Sequence, residues 1–336
     1  MKVQIFRPLK TQYGALIAFC EGLKKGFELI GVQSELVIYH ERFKRSEITV
    51  GFNGPLQHLE EITKRKLLGD IHFSLLVDAP WRFMYLLSDP KIKVGVVDQS
   101  YLRFAHRIKD NAYFFPHSVD STYNYDLTKK RKYPIVMPLS YYPLEDLKVP
   151  EGYENWVKTF VDDILNNPDV SYLDYFQRVV EKGMPYEELI KACEERLRLE
   201  GQLRVLDSLK GFEVHLFGQG TEKLNRPGFI CHGPKTFYEL RKVYEESEIV
   251  INTSPKMREG GHERIFEAIV AGAKVITDYN PFLDRVFKGQ MPFFDYAHLI
   301  KLPELFEKPT VNLRDQVLEE FSWKKRAEEI MRIAQE

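Results

Sequence analysis

The sequence predicts an α/β protein made of two Rossmann-like, parallel-sheet domains. Three observations carry this reading. Over roughly the first 115 residues, short apolar runs alternate with amphipathic helical stripes, the pattern of an open parallel sheet covered by helices. Residues 248–278, EIVINTSPKMREGGHERIFEAIVAGAKVITD, read as strand, glycine-bearing loop, helix and strand, which is a βαβ unit. The length, 336 residues, suits two domains.

In order, residues 3–6 form the first expected strand. Tyr13, Leu16, Ile17, Cys20, Leu23, Phe27 and Ile30 then fall on one helical stripe that Gly31 ends. Strands follow at 35–39, 48–52, 71–77, 94–97 and 112–115, with helices at 55–68, 81–87 and 101–106 between them. The first domain is expected over 1–120 and a polar, turn-like linker over 121–132. A second domain spans 133–311, opening on a strand at 133–138. Its segment 151–209 is too long for one crossover helix and reads as a helical insertion. Strands at 214–217, 229–230 and 249–251, a helix at 238–247 and a strand at 274–277 complete it. Residues 312–336 form a C-terminal helical segment.

Composition narrows the function. A formal net charge of −1 gives no sign of a protein built for nucleic acid or a membrane surface. The three scattered cysteines, Cys20, Cys193 and Cys231, make neither a disulfide framework nor a metal cluster, and they fit a reducing cytoplasm. MKVQIFRPLK runs directly into a strand without a signal-peptide core, and no apolar run reaches membrane-spanning length. The G-x-G-x-x-G fingerprint is absent after the first strand. Gly218-x-Gly220 lacks the third glycine, which argues against a nicotinamide cofactor.

The chemistry gathers where the loop at 252–262 meets its helix. A helix start carries partial positive charge and unpaired amides, so it suits a phosphate. Gly260 and Gly261 admit a ligand close to the backbone. On a helical wheel Arg264 and Glu267 fall away from the Ile265/Phe266/Ile269/Val270 face. An ionised glutamate only accepts hydrogen bonds, so Glu259 and Glu267 suit sugar or ribose hydroxyls. Ligands of parallel sheets bind beyond the carboxyl ends of strands, which singles out Asp78 and His117 in the first half. Asp78 reads either as a helix cap or as a catalytic or acceptor-binding group, and His117 either as a linker residue or as part of an active site.

Glu259-x7-Glu267, continued as Ala268-Ile269-Val270-Ala271-Gly272, resembles the Glu-x7-Glu signature of retaining GT-B glycosyltransferases. GHERIFEAIVAGAKVITD is closer still to the CgeB-like (spore-maturation-protein-like) family. The D-x-P at Asp78 also resembles the CgeB-like pattern, while FFPHSVD around His117 and the Phe321-x-Trp323-x-x-Arg326 start of the last helix resemble the inter-domain linker and terminal helix of GT-B enzymes. The resemblance implies a GT-B-like fold, two Rossmann-like domains facing an inter-domain cleft, with the terminal helix crossing back onto the first. It implies a hexosyltransferase-type enzyme that takes a nucleotide diphosphate sugar. Glu267 would accept the ribose hydroxyls, Glu259 would hold a donor-sugar hydroxyl, and the amides from Gly260 to His262 would face the diphosphate. Gly218, Gln219 and His232 would border the nucleotide.

No Asp-x-Asp pair occurs, so neither metal nor other cofactor is expected, and Arg264, Lys256, Arg258 and the helix dipole are the available counter-charges. His262 reads as a phosphate or sugar contact, or as a cap. The signature favours retention of configuration; an inverting enzyme would need a base, for which Asp78 or His117 is available. The acceptor stays open among glycan, protein, small molecule and modified nucleic acid. A sugar-nucleotide epimerase and a non-catalytic glycan- or nucleotide-binding domain are the alternatives.

Overall fold

The computed structural model describes residues 2–8, 11–38, 46–53, 68–224 and 226–336. The last residue of the strand expected at 35–39 and all but the last residue of the helix expected at 55–68 lie outside them. The chain divides into two compact units. One comprises residues 1–125, 236–238 and 314–336, the other 126–235 and 239–313.

The first unit holds a six-stranded sheet: β1 (Lys2–Phe6), β2 (Gln33–Val37), β3 (Ile48–Phe52), β4 (Ile71–Leu76), β5 (Ile92–Val96) and β6 (Ala112–Phe114). Its order is β2-β1-β3-β4-β5-β6, and every pairing is parallel. β3 is buried at all five positions and β4 at five of six, as expected of strands covered on both faces. The helix Ala15–Leu29 buries Cys20, Leu23 and Phe27 of the stripe read from the sequence and adds Phe19, while Leu16 and Ile17 are only partly covered.

What the stripe does not reveal is the role of Gly22 and Gly26 on that helix. A Cβ on Gly22 would lie 2.3 Å from Trp323 Cδ1, and one on Gly26 2.3 Å from the Trp323 carbonyl. The two glycines make a seat for the start of the helix Trp323–Gln335. Trp323 then packs against Phe19, tilted by 44° at 5.5 Å, and meets Phe52 edge-on at 5.8 Å. Ala327, Ile330, Met331 and Ile333 join the same core as Val3, Ile5, Ile48 and Phe73. Ser322 caps the helix by accepting from the Lys325 amide, and the backbone at 322 pairs with Val119.

A histidine lies inside this sheet. His72 is fully buried and bonds through Nδ1 to Thr49 Oγ1 at 2.9 Å. Burial pushes its pKa down to about 4, with the Asp89 charge opposing. The unfolded chain therefore binds this proton first. The group's contribution is full above the unfolded pKa and is lost as pH falls from about 6.5 to about 4. That contribution is on the order of 3 kcal/mol. As the pH is lowered across that interval, the urea midpoint of the wild type should fall relative to that of His72→Leu; a constant difference between them contradicts a buried neutral imidazole.

The second unit holds β7 (Tyr133–Pro138), β8 (Val214–Phe217), β9 (Phe229–Cys231), β10 (Ser247–Asn252), β11 (Lys274–Asp278) and β12 (Phe293–Phe294). The order is β12-β11-β10-β7-β8-β9, again all parallel. β12 is a two-residue edge strand too short for the sequence pattern to show. The segment read as a helical insertion contains three helices, Glu154–Asn166, Tyr172–Val179 and Tyr186–Ser208. Arg131 ties two further helix ends together. Its guanidinium donates to the carbonyls of Tyr244 and Glu245 and to those of Ala271 and Gly272. No helix among the described residues is long and apolar enough to cross a membrane.

Candidate active site

The carboxyl ends of β7, β8, β10 and β11 gather most of the residues that the sequence singles out. β10 ends at Asn252, whose amide donates to Ser254 Oγ at 2.9 Å and Thr277 Oγ1 at 3.0 Å. The loop then turns under Asp278, which accepts from the Ser254 amide at 2.9 Å. Burial raises the Asp278 pKa, against the pull of that amide and of Arg258. The helix Glu263–Val270 begins at His262, whose Nδ1 accepts from the Arg264 amide and lies 2.7 Å from Glu263 Oε2. His262 is therefore a helix cap in this arrangement. Arg264 folds back along it. Its guanidinium donates to the Pro138 carbonyl at the end of β7, and Nη2 lies 3.2 Å from His262 Nε2. Glu259, His262 and Arg264 are each half-buried, which leaves them a solvent-facing part.

Several expectations change here. The first concerns Glu267. It is 1% exposed, and Arg241 grips both its oxygens, Nε to Oε2 at 2.8 Å and Nη2 to Oε1 at 2.7 Å. The helical wheel puts Glu267 off the apolar face of its own helix but cannot show that the helix Phe237–Glu245 covers that side too. The carboxylate is the inner half of a bidentate buried ion pair, not an open acceptor for ribose. Arg258 is likewise taken. It is 3% exposed and donates to the carbonyls of Ile164, Asn167 and Val170, satisfying the end of the helix Glu154–Asn166. Lys256 pairs with the buried Glu194 at 2.6 Å, so its charge is largely balanced within the protein.

Gly261, Gly218 and Gly220 are explained by packing. A Cβ on Gly261 would lie 2.3 Å from Phe266 Cζ, so this residue makes room for a core ring. A Cβ on Gly218 would lie 1.6 Å from the Leu139 carbonyl oxygen, and one on Gly220 2.0 Å from that of Tyr141. Both let the chain beyond β8 lie against the chain beyond β7, where Leu139 donates to Phe217 at 3.0 Å and Tyr141 to Gln219 at 2.9 Å. Gly260 is buried, and its carbonyl accepts from Asn280. Gln219, between Gly218 and Gly220, is exposed.

His232 follows β9 and stacks on Phe217 at 4.3 Å and 7°. It also bonds to His215, Nε2 to Nδ1 at 2.9 Å, and His215 in turn meets Glu213 at 3.0 Å. Burial, helped by the charges of His215, Lys235 and Lys132, lowers the His232 pKa. The imidazole stays half-buried at the sheet margin.

Asp78 and His117 belong to the other unit. Asp78 is exposed beyond β4, and Asn53 holds it from the end of β3, Nδ2 to Oδ2 at 2.6 Å. Asn53 adopts φ 50° to make this contact, and its Oδ1 accepts from the Val77 amide at 2.9 Å. Asp78 does not cap the turn that follows, so that reading is set aside. Asp98, by contrast, does cap a helix, Gln99–His106. His117 is buried against Phe19, beside an apolar cavity that Phe52, Phe115, Trp323 and Arg326 also line.

Sequence reasoning missed Arg241, Glu194 and Asn280. Arg241 and Glu194 carry no local signal, because their partners lie 26 and 62 residues away. Asn280 does carry one: an asparagine directly before Pro281 is a helix-start pattern.

Comparison with known proteins agrees with this architecture. A family profile described as "Glycosyl transferase-like" matches residues 198–332. No curated protein matches the chain. Among solved structures, the chain is similar to AviGT4, a glycosyltransferase involved in avilamycin A biosynthesis, with 12% identity, a TM-score of 0.61 and coverage of 100% of this chain and 97% of that one. It is also similar to the sucrose-phosphate synthase of Thermosynechococcus elongatus, with 10% identity, a TM-score of 0.56 and coverage of 100% and 98%. At such identities the likeness is one of fold. With two six-stranded parallel sheets and flanking helices shared with both enzymes, the chain has the GT-B glycosyltransferase fold.

Proposed function

We propose that the protein is a glycosyltransferase, which moves a sugar from a nucleotide diphosphate sugar to an acceptor hydroxyl, with retention and without a metal. The observation that carries this is the start of the helix Glu263–Val270, where Glu259, His262 and Arg264 stand half-exposed beyond the ends of β7 and β10. The profile match over 198–332 includes that whole segment. Negative charge builds on the diphosphate as the sugar leaves, and stabilising it is the main task of such a site. Arg264 and the helix start, which His262 caps, supply positive charge for it. Glu259 accepts hydroxyls of the transferred sugar. Glu267 and Arg258 are not part of this donor set, and Lys256 contributes at most a charge already shared with Glu194. The closer CgeB-like resemblance, a hexosyl donor and a cytoplasmic setting belong to the same proposal.

Thermal-shift titration with UDP-, GDP-, TDP- and ADP-sugars in the presence of EDTA tests it. One nucleotide should stabilise the wild type, by about 2.7 kcal/mol at a hundredfold excess over Kd. Arg264→Ala should remove most of that shift. No shift with any of the four defeats the proposal. The burial of Glu267 removes one argument against a non-catalytic binding domain. Binding of a nucleotide sugar with no release of the diphosphate in the presence of any acceptor would favour that second reading.

A further inference from the structure

The loop that carries Glu259 is held by a residue from the next βα connection. Asn280 is 3% exposed, and its amide nitrogen donates to two carbonyls, Met257 at 2.7 Å and Gly260 at 2.8 Å. Its oxygen accepts from the Leu283 amide at 3.0 Å, capping the helix Pro281–Val286. Both of its donor hydrogens are thus used on backbone oxygens three residues apart, with Glu259 on the stretch between them. Asp278 fixes the same loop further upstream, through Ser254. The peptide around Glu259 is therefore pinned by one rigid side chain that is itself locked by a helix cap.

We propose that Asn280 is a positioning residue for donor binding: it sets the backbone at Met257–Gly260 so that the Glu259 carboxylate meets the sugar. The inference rests on the donor site proposed above. Replacement of the amide by a carboxylate of the same shape separates the clamp from the cap. In Asn280→Asp one oxygen still accepts from Leu283, but the other faces two carbonyls with no hydrogen to give. Protonation returns one donor, and burial beside two carbonyl oxygens raises the pKa of the new acid. Asn280→Ser keeps a capping oxygen and is too short for both carbonyls.

Isothermal titration of the wild type and both variants with UDP-, GDP-, TDP- and ADP-glucose decides the matter. A displaced sugar-binding carboxylate should weaken Kd by about tenfold to a hundredfold in both variants at pH 8. In Asn280→Asp alone, most of the loss should be recovered as the pH is lowered. A merely structural residue would reduce the number of binding-competent molecules and leave Kd unchanged, and that result overturns the inference. If the wild type binds none of the four, the donor site itself fails and this inference goes with it. Binding by the wild type with unaltered Kd in the variants removes only the role of Asn280. Should neither variant fold, hydrogen exchange on the wild type gives the answer. The Met257 amide, bonded to the Ser254 carbonyl at 2.9 Å, should be as protected as β10. Rapid exchange there overturns the clamp.

Discussion

Glu267→Ala should unfold the second unit at a markedly lower temperature, with a loss of about 3–5 kcal/mol. Arg241 is 3% exposed and its guanidinium cannot shed its proton, so removal of the carboxylate strands a charge in the interior. For a unit of this size the loss corresponds to roughly 6–20 °C in Tm. Glu267→Gln, which keeps one acceptor oxygen, should cost less. The double variant Arg241→Met/Glu267→Leu should recover much of the stability, because it removes both charges and fills the volume. Differential scanning calorimetry on the four proteins reads the order directly. A Glu267→Ala protein with wild-type Tm and lost nucleotide affinity would contradict the buried pair and return this carboxylate to the donor site.

Of the glycines at which an added Cβ meets a neighbour among the described residues, Gly218 has the shortest approach, and Gly218→Ala should be severely damaging. The new Cβ would sit 1.6 Å from the Leu139 oxygen and 2.5 Å from its carbonyl carbon, and neither is the end of a flexible side chain. Relief requires the connection after β7 to move away from the end of β8, which breaks the bonds from Leu139 to Phe217 and from Tyr141 to Gln219. A destabilisation above about 4 kcal/mol, or failure to accumulate folded protein, is expected. Gly211→Ala is the control. It too sits at positive φ, 93°, but nothing lies within 4 Å of the added carbon, so its cost should be near 1 kcal/mol, roughly the backbone term alone. Equal chemical-denaturation midpoints for the two variants would refute the steric account.

The sheets were legible because parallel strands covered on both faces leave short, mainly apolar runs such as those at 48–52 and 71–76, which need no knowledge of partners. The βαβ unit at 248–278 was legible for the same reason, together with Gly272 after its helix, whereas His262 as its cap was one of two open readings. The roles of individual residues were less so. Gly261 and Gly218 stand where a phosphate-binding reading wants flexible backbone, yet a phenylalanine ring and a neighbouring carbonyl account for them. Glu267 looks solvent-facing to its own helix because the wheel contains no information about Arg241, two elements away. Arg258 looks like a phosphate ligand until the end of a helix almost a hundred residues earlier is placed beside it. In each case the deciding neighbour is distant in sequence and carries no periodic signature.

The seat formed by Gly22 and Gly26 has a consequence for biosynthesis. The first five strands of the leading sheet leave the ribosome early, but the indole and aliphatic groups that complete their hydrophobic interior belong to residues 323–333. During translation of the residues between, the interior of that unit lacks these side chains, and only residues 323–333 can complete it. Nascent chains arrested before Trp323 should therefore engage chaperones through their amino-terminal half, even though most of that half was synthesised first.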